Sequence, residues 1–257
     1  MRVATWNVNS LRARMDHVRR FSEEGGCDVI CLQETKLTDD LFPADALRDL
    51  GWEHLAWWGQ PTYNGVAILS KHPLEDVQKG FIDYDDDEEV GRIIAATIQG
   101  VRIYGLYTPN GQRVGSPKFL YKLRWLEQLR RELDRYDPAQ HMLVCGDMNI
   151  APGDDDVWDP FALDGQLLCH PDERGALDRV LDWGLVDSWR ERHPWDQEFS
   201  WWNYQQMGFQ RGFGLRIDHI YLSKSLNAMC RGVQIHRDVR GWDTPSDHAP
   251  VSADLDV

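Results

Sequence analysis

Short apolar runs recur along the chain, and most of them alternate apolar with polar positions or are rich in β-branched and aromatic residues. Both patterns are typical of strands that are buried on one or both faces. Nine runs predict strands: "RVATWNV", "DVICLQE", "GVAILS", "IIAATIQ", "VRIYGLY", "HMLVCGD", "RIDHIYLS", "GVQIHR" and "APVSADL". Gly100 separates the fourth run from the fifth and predicts a hairpin-like turn between them.

Helical spacing appears between some of these strands. A first helix is predicted by apolar residues three or four positions apart, namely Leu11, Met15, Val18 and Phe21. A longer helix is predicted in the same way by Phe119, Leu123, Leu126, Leu129 and Leu133. Ser116 is its expected N-cap, and Pro117 suits its first turn. A third helix is predicted in "DERGALDRVLDWG", ending at Gly184.

Strands outnumber helices, and several neighbouring strands leave no room for a crossover helix, so a purely parallel sheet is excluded. A mixed, mostly antiparallel pair of packed sheets with helices outside fits best, because two facing sheets bury the most strand surface. No linker, low-complexity tract or repeat divides the sequence. We therefore expect a single domain over residues 1–257.

The amino-acid composition limits the class of protein and the cellular compartment that fit this sequence. The 257 residues include 42 acidic and 28 basic side chains, a net charge of -14, which argues against a protein coated in nucleic acid. The five cysteines form no CxxC pair, which favours small buried thiols in a reducing compartment over a disulfide framework or a zinc site. No apolar run approaches the ~18 residues of a membrane span, and the first ten residues lack the features of a signal peptide. We expect a soluble, cytoplasmic monomer with no membrane partner.

Much of the acidity lies in two runs, "DYDDDEEV" from Asp83 and "GDDDVWD" from Gly153. Neither run has the central Gly and distal Glu of a calcium-binding loop, so both are predicted to be solvated loops. Basic residues cluster elsewhere, in "LRARMDHVRR" and "KLRWLEQLRR".

Polar side chains of a consistent kind stand at the ends of six predicted segments. They are Asn7, Asn9, Glu34, Lys36, Tyr107, Asn110, Asp147, Asn149, Asp218, Asp247 and His248. Taken singly, the asparagines could be turn residues, the final Asp-His pair could lie on the surface, and the tyrosine could be a strand-end aromatic. The aspartate inside an apolar strand needs a buried partner, and the repetition at six segments favours one shared site.

The residue types indicate the chemistry. Glu34 and Asp247, with amide oxygens nearby, are hard oxygen ligands that suit Mg²⁺, for which Mn²⁺ can substitute. No cysteine joins the set, which disfavours zinc. A divalent ion with a carboxylate base and a histidine is the usual equipment for cleaving a phosphate ester. Phosphoryl transfer is therefore the predicted reaction class.

Eight motifs carry a resemblance to a known family: "WNVNSLR", "LQETK", "NGVAILS", "YTPNG", "GDMNIAP", "SWWNY", "LRIDHIYLS" and "SDHAPV". In this order, from Asn7 to His248, they resemble the exonuclease III family of bacterial apurinic/apyrimidinic (AP) endonucleases, within the endonuclease/exonuclease/phosphatase superfamily. The resemblance implies a four-layered α/β sandwich, in agreement with the two predicted sheets. It also implies a Mg²⁺-dependent DNA-repair phosphodiesterase. Such an enzyme incises duplex DNA 5′ of abasic sites, digests DNA from 3′ to 5′ and cleans blocked 3′ ends.

By the same resemblance, six residues form the metal site: Asn7, Glu34, Asp147, Asn149, Asp247 and His248. Glu34 is expected to be the principal ligand, with Asn7 and Asp247 close by. The other three residues would complete a second position, so one ion and two ions are both compatible with the set.

The resemblance also implies catalytic roles. Asp147 would orient or deprotonate the attacking water, and Asn149 would hold that water or the transition-state oxygens. His248 would contact the scissile phosphate, held in its charged form by Asp218. Tyr107 would donate a hydrogen bond near the phosphate or assist the leaving group as a phenolate.

The substrate is a separate question, because the superfamily also contains secreted deoxyribonucleases, inositol polyphosphate phosphatases and sphingomyelinases. The segment "FSWWNYQQMGFQRGFGLRIDH" is aromatic and basic. In the resembled family this region opens the minor groove and lines the pocket for a flipped-out abasic sugar. Trp201, Leu215 and Ile217 match the pocket wall, and one residue of the Trp201–Trp202 pair is expected to face the core.

Phosphate contacts are expected from Lys36, Asn110 and Arg113, so duplex DNA with abasic sites or blocked 3′ ends is the predicted partner. The acidic segment 83–89 and the low net charge favour incision at abasic sites over long-range exonuclease digestion. One alternative is an enzyme that cleaves a small phosphorylated molecule and does not need the aromatic segment. The other is a catalytically silent DNA-binding module, which the retained Glu34, Asp147 and His248 disfavour.

Overall fold

The computed structural model describes residues 1–84 and 90–257. The strands in these ranges are β1 (Arg2–Asn7), β2 (Val29–Gln33), β3 (His54–Trp58), β4 (Val66–Ser70), β5 (Glu75–Lys79), β6 (Ile93–Ile98), β7 (Val101–Tyr107), β8 (Met142–Asp147), β9 (Leu185–Asp187), β10 (Trp201–Trp202), β11 (Gly214–Leu215), β12 (Asp218–Ser223), β13 (Cys230–Ile235) and β14 (Val251–Leu255). The α-helices are α1 (Leu11–Gly25), α2 (Ala44–Arg48), α3 (Pro117–Leu133), α4 (Pro160–Leu163), α5 (Pro171–Leu181), α6 (Ser188–Arg192), α7 (Gly208–Arg211) and α8 (Lys224–Asn227). A helix that could span a membrane is absent from the described part of the chain.

Twelve of these strands form two six-stranded sheets. One has the order β13-β14-β1-β2-β4-β3, and the other has the order β5-β6-β7-β8-β12-β9. Strands β1 and β2 pair in parallel at the middle of the first sheet, as β7 and β8 do in the second, and the remaining pairs are antiparallel. The prediction of mixed, mostly antiparallel sheets is confirmed.

Alternation along the strands explains how the sheets pack. On β1, Val3 lies in a core cluster shared by the two sheets, whereas Trp6 points the other way and packs with Phe21 of α1. On β8, Leu143 joins the shared core, and Val144 faces a cluster beneath α3 and α5. Helices therefore cover the outer face of each sheet, and the predicted four-layered α/β sandwich is confirmed.

The helices follow their sequence signals. Helix α1 begins at Leu11 as its apolar spacing predicts, and α3 begins at Pro117. The side chain of Ser116 caps α3 by accepting a hydrogen bond from the backbone N–H of Phe119 at 3.2 Å. Helix α5 ends at Leu181, and a turn carries the chain on to Gly184.

The structure adds elements that the apolar pattern does not predict. Strand β5 is an edge strand of the second sheet whose residues are mostly exposed, so its polar sequence carries no alternation signal. Strand β3 occupies the edge of the first sheet, while β10 and β11 are two-residue strands paired with each other.

The two acidic runs have different outcomes. Residues 85–89 of the first run lie outside the described residues. In the second run, Asp154 and Asp155 are exposed as predicted, but Asp156 is 2% exposed, so the prediction of a fully solvated loop is wrong there. The physical reason is that Arg216 and Arg190 each donate a hydrogen bond to Asp156 Oδ1, which offsets the cost of burying its charge.

One edge of the sandwich collects the polar strand ends. The parallel pairs β1–β2 and β7–β8 bring their carboxyl ends to this edge. Strand β12 runs antiparallel to β8 and pairs Asp218 with Asp147, and the segment before β14 approaches the carboxyl end of β1. Residues that are 239 positions apart in the sequence therefore meet, as the hydrogen bond from Ser246 Oγ to Asn7 O at 2.7 Å illustrates.

Candidate active site

We call the strand-end residues at this edge the polar floor: Asn7, Glu34, Tyr107, Asp147, Asn149, Asp218, Asp247 and His248. At its centre, Asn7 Nδ2 donates to Glu34 Oε1 at 2.8 Å and to Asp147 Oδ2 at 2.9 Å. Asn7 Oδ1 accepts from the backbone N–H of Asn9 at 3.0 Å, which fixes the amide. Asn7 thus orients the two carboxylates towards each other from different sheets.

A divalent cation fits this centre. Ligand atoms of Glu34, Asp147 and His248 lie within 4.8 Å of one another. The Glu34 side chain is 17% exposed, so an ion held there would keep some of its waters. Burial raises the pKa of Glu34, but hydrogen bonds from Asn7 and Lys36 and the charge of Lys36 outweigh it and hold the pKa below its usual range. Glu34 is therefore an ionised oxygen donor at neutral pH.

Asp247 is held beside this centre by two donors. Its Oδ1 accepts from Asn9 Nδ2 at 2.9 Å, and its Oδ2 accepts from Trp201 Nε1 at 3.0 Å. Asn9 Oδ1 in turn accepts from Lys36 Nζ at 2.5 Å, and that ammonium lies 2.9 Å from Glu34 Oε2. Asn9 connects these charged groups, a role that its position at a strand end did not specify.

His248 and Asp218 form the buried pair that the sequence predicts. His248 Nδ1 lies 2.9 Å from Asp218 Oδ2, and His248 Nε2 lies 3.7 Å from Asp147 Oδ2. Ser200 Oγ also donates to Asp218 Oδ2, at 2.7 Å. Burial lowers the pKa of His248, but the charges of Asp218 and Asp147 outweigh it and raise the pKa to about 10. The two carboxylates therefore favour the charged form of the imidazole at neutral pH.

Asp147 has the opposite shift from Glu34. It is 1% exposed, and burial raises its pKa to about 7 against the attraction of His248. Its Oδ1 accepts from the backbone N–H of Asn149 at 2.9 Å. A carboxylate whose pKa lies near neutrality can take up a proton, as a general base must.

Tyr107 lies at the end of β7, paired in register with Asp147. Burial raises its pKa well above the usual value of 10, and the charges of Glu34 and Asp147 raise it further. The phenol therefore keeps its proton at neutral pH, which favours a hydrogen-bond donor over a phenolate.

Asn149 of the floor bonds Asn110, which lies beside it. Asn149 Nδ2 donates to the backbone carbonyl of Thr108 at 3.0 Å, and Asn149 Oδ1 accepts from Asn110 Nδ2 at 3.0 Å. Asn149 has φ 51°, and Glu34 has φ 52°. Left-handed backbone at non-glycine residues is unfavourable, and it turns both side chains into the site directly after their strands.

Gly146 makes the approach of β8 to β7 possible. It has φ +142°, and a Cβ built there would lie 1.9 Å from the carbonyl oxygen of Leu106. A side chain at this position would push the strands apart and displace Asp147, which follows directly in the sequence.

A second feature, which we call the aromatic cleft, opens beside the polar floor. Its volume is about 210 Å³, and its lining residues are Trp158, Leu163, Trp201, Asn203, Gln205, Gln206, Gly208, Phe213 and Leu215. Trp201 pairs with Leu215 across β10 and β11 and forms an isolated bridge with His248. The cleft therefore shares one wall with the floor, while Trp202 is fully buried as expected for one member of the pair.

The other predicted DNA-contacting residues have varied positions. Ile217 is 1% exposed and packs with Val157 and Leu215 in a cluster behind the cleft wall. Lys36 is partly buried at the floor, Asn110 is exposed beside it, and Arg113 is exposed in the loop before α3.

Sequence reasoning assigned no role to several residues of the site. Trp158 and Phe213 stack with ring centroids 4.0 Å apart in the cleft. Lys122 is fully buried beneath the floor and donates to the backbone carbonyl of Asn149 at 2.7 Å. The sequence held one signal for this role: Lys122 is a charged residue on the apolar face of the predicted helix α3, between Phe119 and Leu126.

Comparisons with known proteins agree with this geometry. The model of the Endonuclease/Exonuclease/phosphatase family matches residues 4–248. Exodeoxyribonuclease III of Haemophilus influenzae is 35% identical, with 99% of this chain and 100% of the relative covered. The structure of the 3′ phosphatase NExo from Neisseria bound to a product DNA hairpin is similar with a TM-score of 0.94 and 42% identity. That of an AP endonuclease from Archaeoglobus fulgidus has a TM-score of 0.95 and 36% identity, and both structures and this chain are covered over 100% of their lengths.

Proposed function

This chain belongs to the Endonuclease/Exonuclease/phosphatase family and is a hydrolytic DNA-repair nuclease of the exonuclease III type, and from that premise we propose how its own residues act. The proposed reaction is metal-dependent incision of duplex DNA 5′ of an abasic site, with 3′–5′ exonuclease and 3′-end-cleaning activity at the same site. One observation carries the proposal: the oxygen atoms of Glu34 and Asp147 and the charged ring of His248 meet beside an aromatic cleft.

The proposed cofactor is Mg²⁺, for which Mn²⁺ can substitute, because ionised carboxylates are the ligands that these ions prefer. Glu34 would be the principal ligand, and Asp147 faces the same space. Asn7 orients both carboxylates, and Asp247 lies close by through Asn9. When bound, the ion would neutralise negative charge on the phosphate oxygens.

We propose that Asp147 accepts a proton from the attacking water, because its carboxylate faces the shared space with Glu34 and His248 and is fixed there by Asn7 and Asn149. The water oxygen forms a bond to phosphorus as the bond from phosphorus to the 3′ oxygen breaks. Asn149, at the rim of the floor, would hold the water or the transition-state oxygens through its amide.

His248 would donate a hydrogen bond from Nε2 to a phosphate oxygen, with Asp218 keeping the ring charged. The bond of Nδ1 to Asp218 and the attraction of Asp218 and Asp147 for a charged ring favour this role over that of a metal ligand. Tyr107 keeps its proton and would donate a hydrogen bond near the phosphate, and the leaving 3′ oxygen takes up a proton to become the hydroxyl.

The aromatic cleft would receive the abasic sugar. Trp201 and Leu215 provide apolar walls next to the floor, and a cleft of about 210 Å³ suits a sugar without its base. Ile217 would support Leu215 from behind. Lys36, Asn110 and Arg113 would contact flanking phosphates, in keeping with the DNA hairpin that the Neisseria protein binds.

Processing of 3′ ends is the second candidate activity, and the similarity to a 3′ phosphatase favours it. The same hydrolysis applied to the last phosphodiester or to a terminal phosphate would leave a 3′ hydroxyl. We further propose that residues 1–257 form a single catalytic domain that acts as a monomer in the cytoplasm.

The deciding experiment measures incision of a labelled duplex that contains one tetrahydrofuran abasic analogue, with Mg²⁺ and with EDTA. We expect cleavage directly 5′ of the analogue with Mg²⁺ and its loss with EDTA. Lack of cleavage by a folded protein that still removes a 3′ phosphate would favour the second activity. Lack of both activities would favour a small phosphate ester as the substrate.

A further inference from the structure

A fully buried ion pair lies beneath the polar floor and has no part in the chemistry described so far. Lys122 of α3 and Glu173 of α5 are both 0% exposed, and Lys122 Nζ donates to Glu173 Oε1. Burying two charges costs free energy that their attraction often fails to offset. Stability alone is therefore a weak explanation for the pair.

The other contacts of Lys122 connect it to the site. Its Nζ donates to the backbone carbonyl oxygens of Asn149 at 2.7 Å and Asn110 at 3.3 Å. With the Glu173 carboxylate these make three acceptors for the three N–H bonds of an ammonium group, so every donor is used. The two asparagines that Lys122 holds are those whose side chains bond each other at the floor.

The ion pair is itself fixed from both sides. Glu173 Oε2 accepts from the backbone N–H of His170 at 3.2 Å, at the start of α5. Gly111, next to Asn110, has φ +96°, and a Cβ built there would lie 3.4 Å from Lys122 Cδ. Ser116 Oγ donates to Gly111 O at 3.0 Å, which holds the same loop at the start of α3. The ammonium group therefore occupies one defined position.

We propose that Lys122 is a positioning residue: by fixing the carbonyls of Asn149 and of its partner Asn110, it sets the direction in which the amide of Asn149 faces the scissile phosphate. The inference rests on the proposed function. Asn149 has φ 51°, a left-handed conformation that asparagine tolerates, and the hydrogen bond from Lys122 fixes the direction of its carbonyl there. A displacement of about 1 Å at a catalytic group can cost ~10²-fold in rate.

The double variant Lys122→Met/Glu173→Gln tests this, because it leaves no unpaired buried ion. We expect kcat for abasic-site incision to fall about 10-fold to 10²-fold. KM, and the Kd for the abasic duplex in EDTA, should stay within about 3-fold, since the aromatic cleft, Lys36 and Arg113 are unchanged. The matched control is Glu132→Gln, which alters another buried carboxylate of α3 that bonds Gln78 and Tyr104. It should keep the wild-type kcat despite a lower melting temperature.

A double-mutant cycle with Asn149→Ala, which compares kcat in the two backgrounds, distinguishes positioning of Asn149 from a general loss of structure. If Lys122 acts through Asn149, the double variant should lower kcat by less than about 3-fold in the Asn149→Ala background. An equal loss in both backgrounds, a rise in KM at constant kcat, or an unchanged kcat would overturn the inference. If the double variant does not fold, Glu173→Gln alone is put through the same cycle. An inactive wild-type protein would instead refute the proposed function, on which the positioning role depends.

Discussion

The polar floor and the aromatic cleft meet at Trp201, which lines the cleft and bonds Asp247, but they are built from different kinds of secondary structure. The floor stands at the ends of long, central strands, and its side chains are mostly buried and hydrogen-bonded to each other. The cleft is made of two-residue strands, the 3₁₀ turn Gln205–Met207 and the four-residue helices α4 and α7. Beside it, Met207 is 65% exposed and Phe161 is 94% exposed.

The difference separates chemistry from recognition. Groups fixed by several bonds at strand ends lose little free energy to reorganisation when the transition state forms. Short segments with few internal bonds adapt more readily to a distorted duplex. We therefore expect changes in the floor to lower kcat, and changes in the cleft to act on the choice of substrate.

The largest effect is expected for Asp147→Asn. The change removes the proposed base but keeps the size of the side chain, so incision of the abasic duplex should fall about 10³-fold or more. Binding of the abasic duplex in EDTA should remain within a few-fold, measured by fluorescence anisotropy. A variant that retains a tenth of the wild-type kcat would show that another group is the base.

Asp218→Asn tests the electrostatics of the floor. His248 has its pKa raised to about 10 in the folded protein, so its charged form is present at neutral pH and is lost as the pH rises through that value. Without the carboxylate the pKa of His248 falls, and the alkaline limb of the kcat profile should move to lower pH. At pH 8 we expect about 10-fold to 10²-fold less activity.

The control is Ser200→Ala, which removes a hydrogen bond to Asp218 but keeps its charge. Its alkaline limb should stay near that of the wild type. If both variants shift the limb equally, the charge of Asp218 is not the cause.

The polar floor and the aromatic cleft also differ in how far they could be predicted from the sequence. Asp147 and Glu34 follow apolar strands, so their positions at one edge were predictable from strand pattern and polar residue type. The cleft was only partly predictable, because Trp158 and Phe213 lie outside any periodic segment and meet through tertiary packing. Ile217 stands in a stretch, Gly214–Ser223, in which every residue is buried, so no alternation shows which way it faces, and it lies behind the wall instead of on the cleft lining.

Buried charged residues were also difficult to predict from the sequence. An acidic run reads as a solvated loop because one sequence segment does not reveal its partners. Asp156 is buried only because Arg190 and Arg216 arrive from 34 and 60 residues away. Lys122 is a similar case, since Glu173 lies on another helix.

Leu215→Ala tests recognition without touching the floor. Truncating this cleft wall should lower kcat/KM for the abasic duplex about 10-fold, because the lost apolar contact to the sugar is worth roughly 1–3 kcal/mol. Hydrolysis of a small phosphodiester should change less than about 2-fold, since such a substrate does not need the cleft. Equal losses on both substrates would count against the cleft as the sugar pocket.

Trp201 needs a different substitution, because its Nε1 also bonds Asp247 at 3.0 Å. Trp201→Phe removes that bond and keeps a ring, whereas Trp201→Ala removes both. If the ring of Trp201 serves the cleft and its Nε1 bond serves the floor, Trp201→Phe should lower hydrolysis of the abasic duplex and of the small phosphodiester by the same factor. The Ala variant should add a further loss on the abasic duplex alone.

The smallest effect is expected for Trp158→Ala. Trp158 stacks on Phe213 in the cleft lining, and Arg211 lies over the Phe213 ring at 4.1 Å. Loss of an offset aromatic pair removes about 0.5–1.5 kcal/mol, so KM for the abasic duplex should rise roughly 3-fold to 10-fold with kcat unchanged. Steady-state kinetics on the labelled duplex measure both constants. A fall in kcat without a change in KM would mean that this end of the cleft also holds the floor in place, and the separation of recognition from chemistry would then fail.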